Sequence, residues 1–227
     1  MIYDGISLQN RRKSNMDCVL LKERVIAGKP VFLGVVCDGV GSMADGAFAS
    51  STAVRLLSDW MDSLETTKRI GLLLLEYVNE INQRIVFAAA ERHLQTASTL
   101  SALLLCEDNY YVVHVGDSRI YSYKNSVLTQ LTHDQSSNGK LTSCLGRYER
   151  TTILYNEGLY TGEKFLLCSD GLYKRMSNAE IATEMSKIHA KNLYKSIEKM
   201  AQRVVEQGEK DNVSLAILLN DEWRNIQ

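Results

Sequence analysis

The residues in this 227-residue chain best suited to chemistry are aspartates set at the ends of apolar runs. Val31–Cys37 ends abruptly in Asp38-Gly39-Val40-Gly41. Lys164–Cys168 leads into Ser169-Asp170-Gly171, and Asp211-Asn212 stands just before Val213–Leu219. Glycines beside a strand-tip carboxylate let the backbone turn sharply and let its carbonyls approach a bound ion closely. Several such tips, far apart in sequence, point to one oxygen-rich divalent-metal site. Zinc is a poor fit, because Cys18, Cys37, Cys106, Cys144 and Cys168 form no CxxC pair and three of them lie in apolar strand-like runs.

The elements that must position these aspartates follow from periodicity. Ile2–Leu8 and Cys18–Glu23 read as short strands around the polar loop Gln9–Asp17, and the single proline, Pro30, marks the turn into Val31–Cys37. Ala53, Leu56, Leu57, Trp60 and Leu64 recur three and four apart, which predicts an amphipathic helix over about 46–65. Leu74, Val78, Ile81, Ile85 and Ala88 predict a second over about 70–93, packed antiparallel to the first on a shared sheet face. Leu100–Cys106 with Tyr110–Val115, and Arg119–Tyr123 with Val127–Leu131, are two hairpins that predict an antiparallel meander. Thr132–Leu145 reads as a loop, and Thr151–Tyr155 and Lys164–Cys168 as further strands. Ser177 followed by Glu180 is a capping box opening a helix near 178–188. A longer helix runs from Leu193 to about Gln207, stopped by Gly208. Strands, two helices, more strands, two helices and a closing strand argue for layered α+β rather than βαβ winding.

Composition narrows the partners. With 45% hydrophobic and 23% charged residues and a formal charge of −1, nothing attracts nucleic acid or an anionic membrane. No apolar run approaches the ~20 residues of a membrane span, and the N-terminal segment lacks the basic-then-apolar order of a signal peptide. An odd number of cysteines at apolar positions fits reduced thiols in the cytoplasm. One domain over 1–227 is expected, as a monomer.

Taken in order, Arg12-Lys13-Ser14-Asn15-Met16-Asp17, Asp38-Gly39-Val40-Gly41, Gly116-Asp117-Ser118-Arg119, Cys168-Ser169-Asp170-Gly171-Leu172 and Asp211-Asn212-Val213 resemble the signature of the metal-dependent serine/threonine protein phosphatases of the PP2C (PPM) family, in the compact form seen in bacteria. Ser98-Thr99 resembles that family's Gly-Thr-Thr strand entry. The resemblance spans nearly the whole chain, and the ordered set is far more specific than any one motif. It implies a four-layer αββα sandwich, two antiparallel sheets each covered by a pair of helices. It also implies two Mn²⁺ or Mg²⁺ ions in a cleft at one end. Asp38 would bridge them, the Gly39 carbonyl would ligate one, and Asp170 and Asp211 the other. Arg12 would grip the substrate phosphate, and Asp17 would support the metal shell from behind. The implied reaction is hydrolysis of phosphoserine and phosphothreonine in proteins by a water or hydroxide between the ions, opposing a serine/threonine kinase.

This sequence departs from the family at three places. Met16 stands where the family usually has Glu. Lys174 replaces an aspartate that, with Asp117, would hold a third ion, so its ammonium is expected to pair with Asp117 and stand in for that cation. Gly41-Ser42-Met43 replaces Gly-Gly-His, and Thr132–Leu145 is shorter than the usual flap, which implies an open cleft. Met16 and Lys174 motivate an alternative, a degenerate domain that binds a phosphoprotein or partner without efficient turnover. The open cleft leaves room for a third reading, a small-molecule phosphatase. His114, alternating with Val113 and Val115, reads as structural, whereas His133 is a candidate proton donor.

Overall fold

Strand β3 (Lys29–Asp38) explains the layering by its own alternation. Val31, Leu33, Val35 and Cys37 turn to one apolar core, while Phe32 and Val36 turn to another. A strand buried on both faces reads as a continuous apolar run, and β3 is one. The computed structural model describes residues 1–43 and 45–220, so 44 and 221–227 of the unit expected over 1–227 lie outside the described residues.

Among the described residues the long strands form two five-stranded antiparallel sheets. The first runs β10 (Leu154–Leu159), β5 (Asn109–Val115), β4 (Leu100–Cys106), β3, β2 (Asp17–Ile26). The second runs β1 (Ile2–Leu8), β12 (Val213–Leu219), β11 (Lys164–Cys168), β6 (Arg119–Lys124), β7 (Val127–Gln130). Phe32, Leu103 and Val112 of the first sheet meet Ile120, Phe165 and Leu167 of the second, forming a core between them. Helices α1 (Gly46–Ser63) and α2 (Ile70–Glu91) cover the outer face of the first sheet through Leu57, Leu74 and Ile81. The outer face of the second is covered by α4 (Asn178–Lys187) and α5 (Leu193–Glu206) through Ile181, Ile197 and Val204. The result is the expected αββα sandwich. Each fully buried aliphatic side chain contributes about 1.5–3 kcal/mol of apolar transfer, so three cores fix the sheet ends firmly.

Local signals hold at the helix ends. Asp45 caps α1 by accepting from the Phe48 N–H at 3.0 Å, and Ser177 and Glu180 form the capping box. Gly208, at φ +89°, follows α5 in the left-handed conformation. No helix among the described residues is long and apolar enough to cross a membrane.

The meander is a correction. Strands β4 and β5 pair, and β6 and β7 pair, but β5 and β6 lie in different sheets. Hairpin signals are the same whichever sheet the next strand joins. The chain crosses between sheets at Gly116-Asp117-Ser118, where Gly116 takes φ +101° hard against Thr99. Strand β10 also begins later than Thr151, because Thr151 and Thr152 are taken up by the Ser143 hydroxyl. Within the Thr132–Leu145 stretch a small hairpin, β8 (Ser136–Ser137) and β9 (Lys140–Leu141), is turned by Asn138 and Gly139, both at positive φ.

Candidate active site

Two carboxylates come from the first sheet. Asp17 opens β2 and Asp38 closes β3, and the two are direct cross-strand partners. The Asp38 N–H donates to Thr99 Oγ1 at 2.9 Å. Its carbonyl accepts from the Thr99 N–H at 2.9 Å and from Ser98 Oγ at 3.1 Å. Thr99 Oγ1 lies 2.6 Å from Ser118 Oγ, which ties this corner to the sheet-crossing loop. A β-carbon at Gly39 would stand 2.6 Å from the Gly46 carbonyl oxygen and 2.8 Å from that of Met16, so only glycine lets α1 start this close. Met16 contributes its backbone carbonyl, which accepts from the Gly39 N–H at 3.2 Å and from Ser50 Oγ at 2.6 Å.

The other two ligand candidates come from the second sheet, where β11 and β12 are antiparallel neighbours. Asp170 begins a single helical turn, α3 (Asp170–Tyr173), and Asp211 precedes β12. A β-carbon on Gly171 would lie 2.0 Å from the Asn212 carbonyl oxygen. The missing methyl is what lets the two aspartate-bearing segments touch. Arg12 donates from Nε and Nη2 to the two oxygens of Asp211, at 2.8 and 2.6 Å. Its loop is stitched to the same place. Asn212 Nδ2 donates to the carbonyls of Gln9 and Ser14, Asn212 Oδ1 accepts from the Met16 N–H, and Asn10 Nδ2 donates to the carbonyls of Glu209 and Asp211.

Lys174 departs from expectation. Its ammonium pairs with Asp170 Oδ2, not with Asp117. The cause is helical spacing: the Lys174 N–H donates to the Asp170 carbonyl at 3.0 Å, so side chains four apart share one face. Asp117 feels Lys174 only through space.

Asp38, Gly39, Asp117, Asp170, Lys174 and Asp211 line one cleft of about 320 Å³. Asp17 lies buried beneath it, and Arg12 reaches its rim through Asp211 and passes beside Gly41. His133 is not among the lining residues. His114 is buried between Ser101 Oγ and the His133 carbonyl, and desolvation lowers it to about 4. Sequence reasoning missed a supporting chain. Asp134, also in the cleft lining, accepts from Arg119 at 2.7 Å. The Arg119 guanidinium lies 3.6 Å from the Tyr173 ring centre, and Tyr173 donates to the Asp117 carbonyl at 2.9 Å. Arg119 sits in a quoted motif, but nothing local in the sequence marks Asp134 or Tyr173 as its partners.

The electrostatics favour a bound cation. Burial first, and then Asp17, Asp170, Asp211 and Asp117, push Asp38 well above the usual carboxylate range. Burial is also the main cause that pushes Asp17 and Asp117 up to about 6. For Asp211 burial works upward, but the Arg12 hydrogen bonds, the Asn212 N–H and the charges of Arg12 and Lys174 together outweigh it and hold the carboxyl below its ordinary value. Asp17 Oδ2 and Asp170 Oδ1 are buried without a hydrogen-bond partner. Orphaned, mutually repelling carboxylate oxygens fit divalent ions. Among the described residues no three His, Cys, Asp or Glu side chains close into a cage on their own.

Comparison with known proteins bears on family and fold. The profile of the family described as Protein phosphatase 2C matches residues 17–219. The serine/threonine phosphatase stp of Listeria monocytogenes serovar 1/2a is 30% identical over 215 residues, covering 82% of this chain and 84% of that protein. In fold, the S. agalactiae serine/threonine phosphatase superposes with a TM-score of 0.83 at 23% identity, covering 96% of this chain and 99% of the other. The catalytic domain of the serine/threonine protein phosphatase PstP, solved with two manganese ions, superposes with a TM-score of 0.79 at 24% identity, covering 95% and 97%.

Proposed function

The chain belongs to the protein phosphatase 2C family, and from that premise we propose that it removes phosphate from phosphoserine and phosphothreonine in proteins at the Asp38 cleft, using two Mn²⁺ or Mg²⁺ ions. One observation carries the assignment to this cleft. Asp38, Asp170 and Asp211 arrive there from three segments of two sheets, with an unpartnered buried oxygen on Asp170 and the Arg12 fork at the rim. The ions, when bound, would bind the phosphate dianion and make water a nucleophile near neutral pH.

The chain's own groups divide the remaining work. Asp38, whose backbone is pinned on both sides, would present its carboxylate between the ions, and the Gly39 carbonyl would serve one of them. Asp170 and Asp211 would serve the other. Asp17 would hold the inner shell from beneath, being the direct cross-strand neighbour of Asp38. Arg12 would grip two phosphate oxygens through a planar fork that lysine lacks. No side-chain nucleophile is placed in this scheme, so no covalent phosphoenzyme is expected. A phosphorylated protein made by a serine/threonine kinase would be the substrate, and the chain would act as a one-domain monomer in the cytoplasm.

The test is hydrolysis of p-nitrophenyl phosphate and of phosphoserine and phosphothreonine peptides with and without Mn²⁺, beside Asp38→Ala. Activity should require Mn²⁺ and fall by more than about 100-fold in the variant, beyond the effect of losing an outer-shell partner. Activity that survives Asp38→Ala would refute the assignment. A Mn²⁺-loaded protein that binds phosphopeptide without turning it over would establish the degenerate alternative.

A further inference from the structure

Lys174 has no place in that scheme, yet it stands in the cleft. Its ammonium pairs with one oxygen of Asp170, Oδ2, while the other, Oδ1, is buried and without a hydrogen-bond partner. One oxygen therefore serves a cation carried by the chain, and the other remains available to an ion. The arrangement is built in: α3 is a single turn, and the Lys174 N–H donates to the Asp170 carbonyl, so the side chain must fold back along the same face. The ammonium also interacts through space with Asp117 and Asp211. Arg12 does the corresponding thing to Asp211 from the other side, but it takes both oxygens.

We propose that Lys174 is a tethered cation that shares Asp170 with the divalent ion on that side of the cleft and thereby weakens and tunes that ion's binding. The proposal rests on the two-ion reading of the cleft. A carboxylate that already shares its charge with an ammonium holds a second cation less tightly, and two positive charges on one carboxylate repel. The Lys174 side chain is 54% exposed, so solvent screening keeps the effect moderate. Lys174 acts here as a positioning residue, through Asp170, and its signature is ion affinity rather than turnover.

The test is calorimetric titration of the whole chain with Mn²⁺ alone, for wild type, Lys174→Gln and Lys174→Arg. Wild type should take two ions with unequal affinity. Lys174→Gln should tighten the weaker by about two- to fivefold, the modest scale of an exposed charge pair, with the stoichiometry unchanged. Lys174→Arg should stay near wild type because it keeps the charge. Unchanged or weaker Mn²⁺ binding in Lys174→Gln would overturn the proposal, and so would Lys174→Arg behaving like Lys174→Gln. If wild type takes no Mn²⁺, the two-ion reading itself fails, and that outcome is distinct because it needs no variant. Circular dichroism of each variant establishes that the fold is intact.

Discussion

The two sheets hold their site carboxylates in opposite ways. On the first, Asp17 and Asp38 face each other across a strand pair. Asp38's backbone is fixed by Thr99, Ser98 and the close packing of Gly39 on Gly46. Among the described residues no basic side chain forms an ion pair with either, and burial first, then the charges of Asp170 and Asp211, push both upward in pKa. On the second, Asp170 and Asp211 sit at the ends of neighbouring strands, and each is gripped by its own cation, Lys174 and Arg12. The first pair has its geometry fixed and its charge uncompensated, whereas the second has its charge compensated by Lys174 and Arg12.

The largest effect should come from breaking the contact that aligns the second pair. Gly171→Ala forces a methyl into the Asn212 backbone, a clash that cannot be relieved by rotating a side chain. Activity should drop by about 100-fold, the scale of an ångström-sized misplacement, and stability by about 1–3 kcal/mol through overpacking. A phosphatase assay and a thermal melt check both, and near-normal values in both would mean the two segments are not locked together.

Next is Asp17→Asn, which tests the uncompensated side. Mn²⁺ affinity by calorimetry should fall about 10- to 100-fold, as for loss of an outer-shell partner. Stability should move the other way when ions are chelated. The carboxyl is raised in the folded chain to about 6 from 3.8, so folding favours its protonated form. The stability this contributes is complete below 3.8 and is lost as pH rises through about 6. Asparagine does not titrate, so denaturation in chelator should lose part of its pH slope between 4 and 6. An unchanged slope would assign the pH sensitivity elsewhere.

The smallest effect is expected for Arg12→Lys, which keeps the charge and loses the fork. A charged hydrogen bond is worth about 1.5–3 kcal/mol, part of which lysine retains, so kcat/KM for a phosphopeptide should fall by about tenfold. Equal activity would show that Arg12 serves Asp211 only.

Much of this was legible in the chain itself. The strand Val213–Leu219 was bounded correctly because a run apolar apart from Ser214 stops at Asn212 and Asn220, and the aspartate tips were visible for the same reason. Amphipathic spacing located α1 and α2 because each buries one stripe. Periodicity reports which face is buried but not which sheet a strand joins, so the crossing at Gly116–Ser118 was hidden. The partner of Lys174 was misjudged because a family alignment position says nothing of a side chain's return along its own helical turn. The roles of Asn10, Asn212 and Asp134 were hidden for a different reason. Their hydrogen bonds join segments distant in sequence, some about two hundred residues apart, and a lone Asn or Asp in a loop carries no trace of such a partner.

Strand β12 is the last strand along the described chain, yet it lies inside its sheet, between β1 and β11. During synthesis the earlier strands can collapse first, leaving a slot that only residues up to Leu219 can fill. Asp211 and the Asn212 amide that anchors the Arg12 loop enter with that strand. A nascent chain therefore has made Asp38 long before it has made Asp211 or can anchor its arginine loop. The cleft is thus completed late in the life of the polypeptide, timed by topology, and a chain stalled before β12 lacks one of its walls.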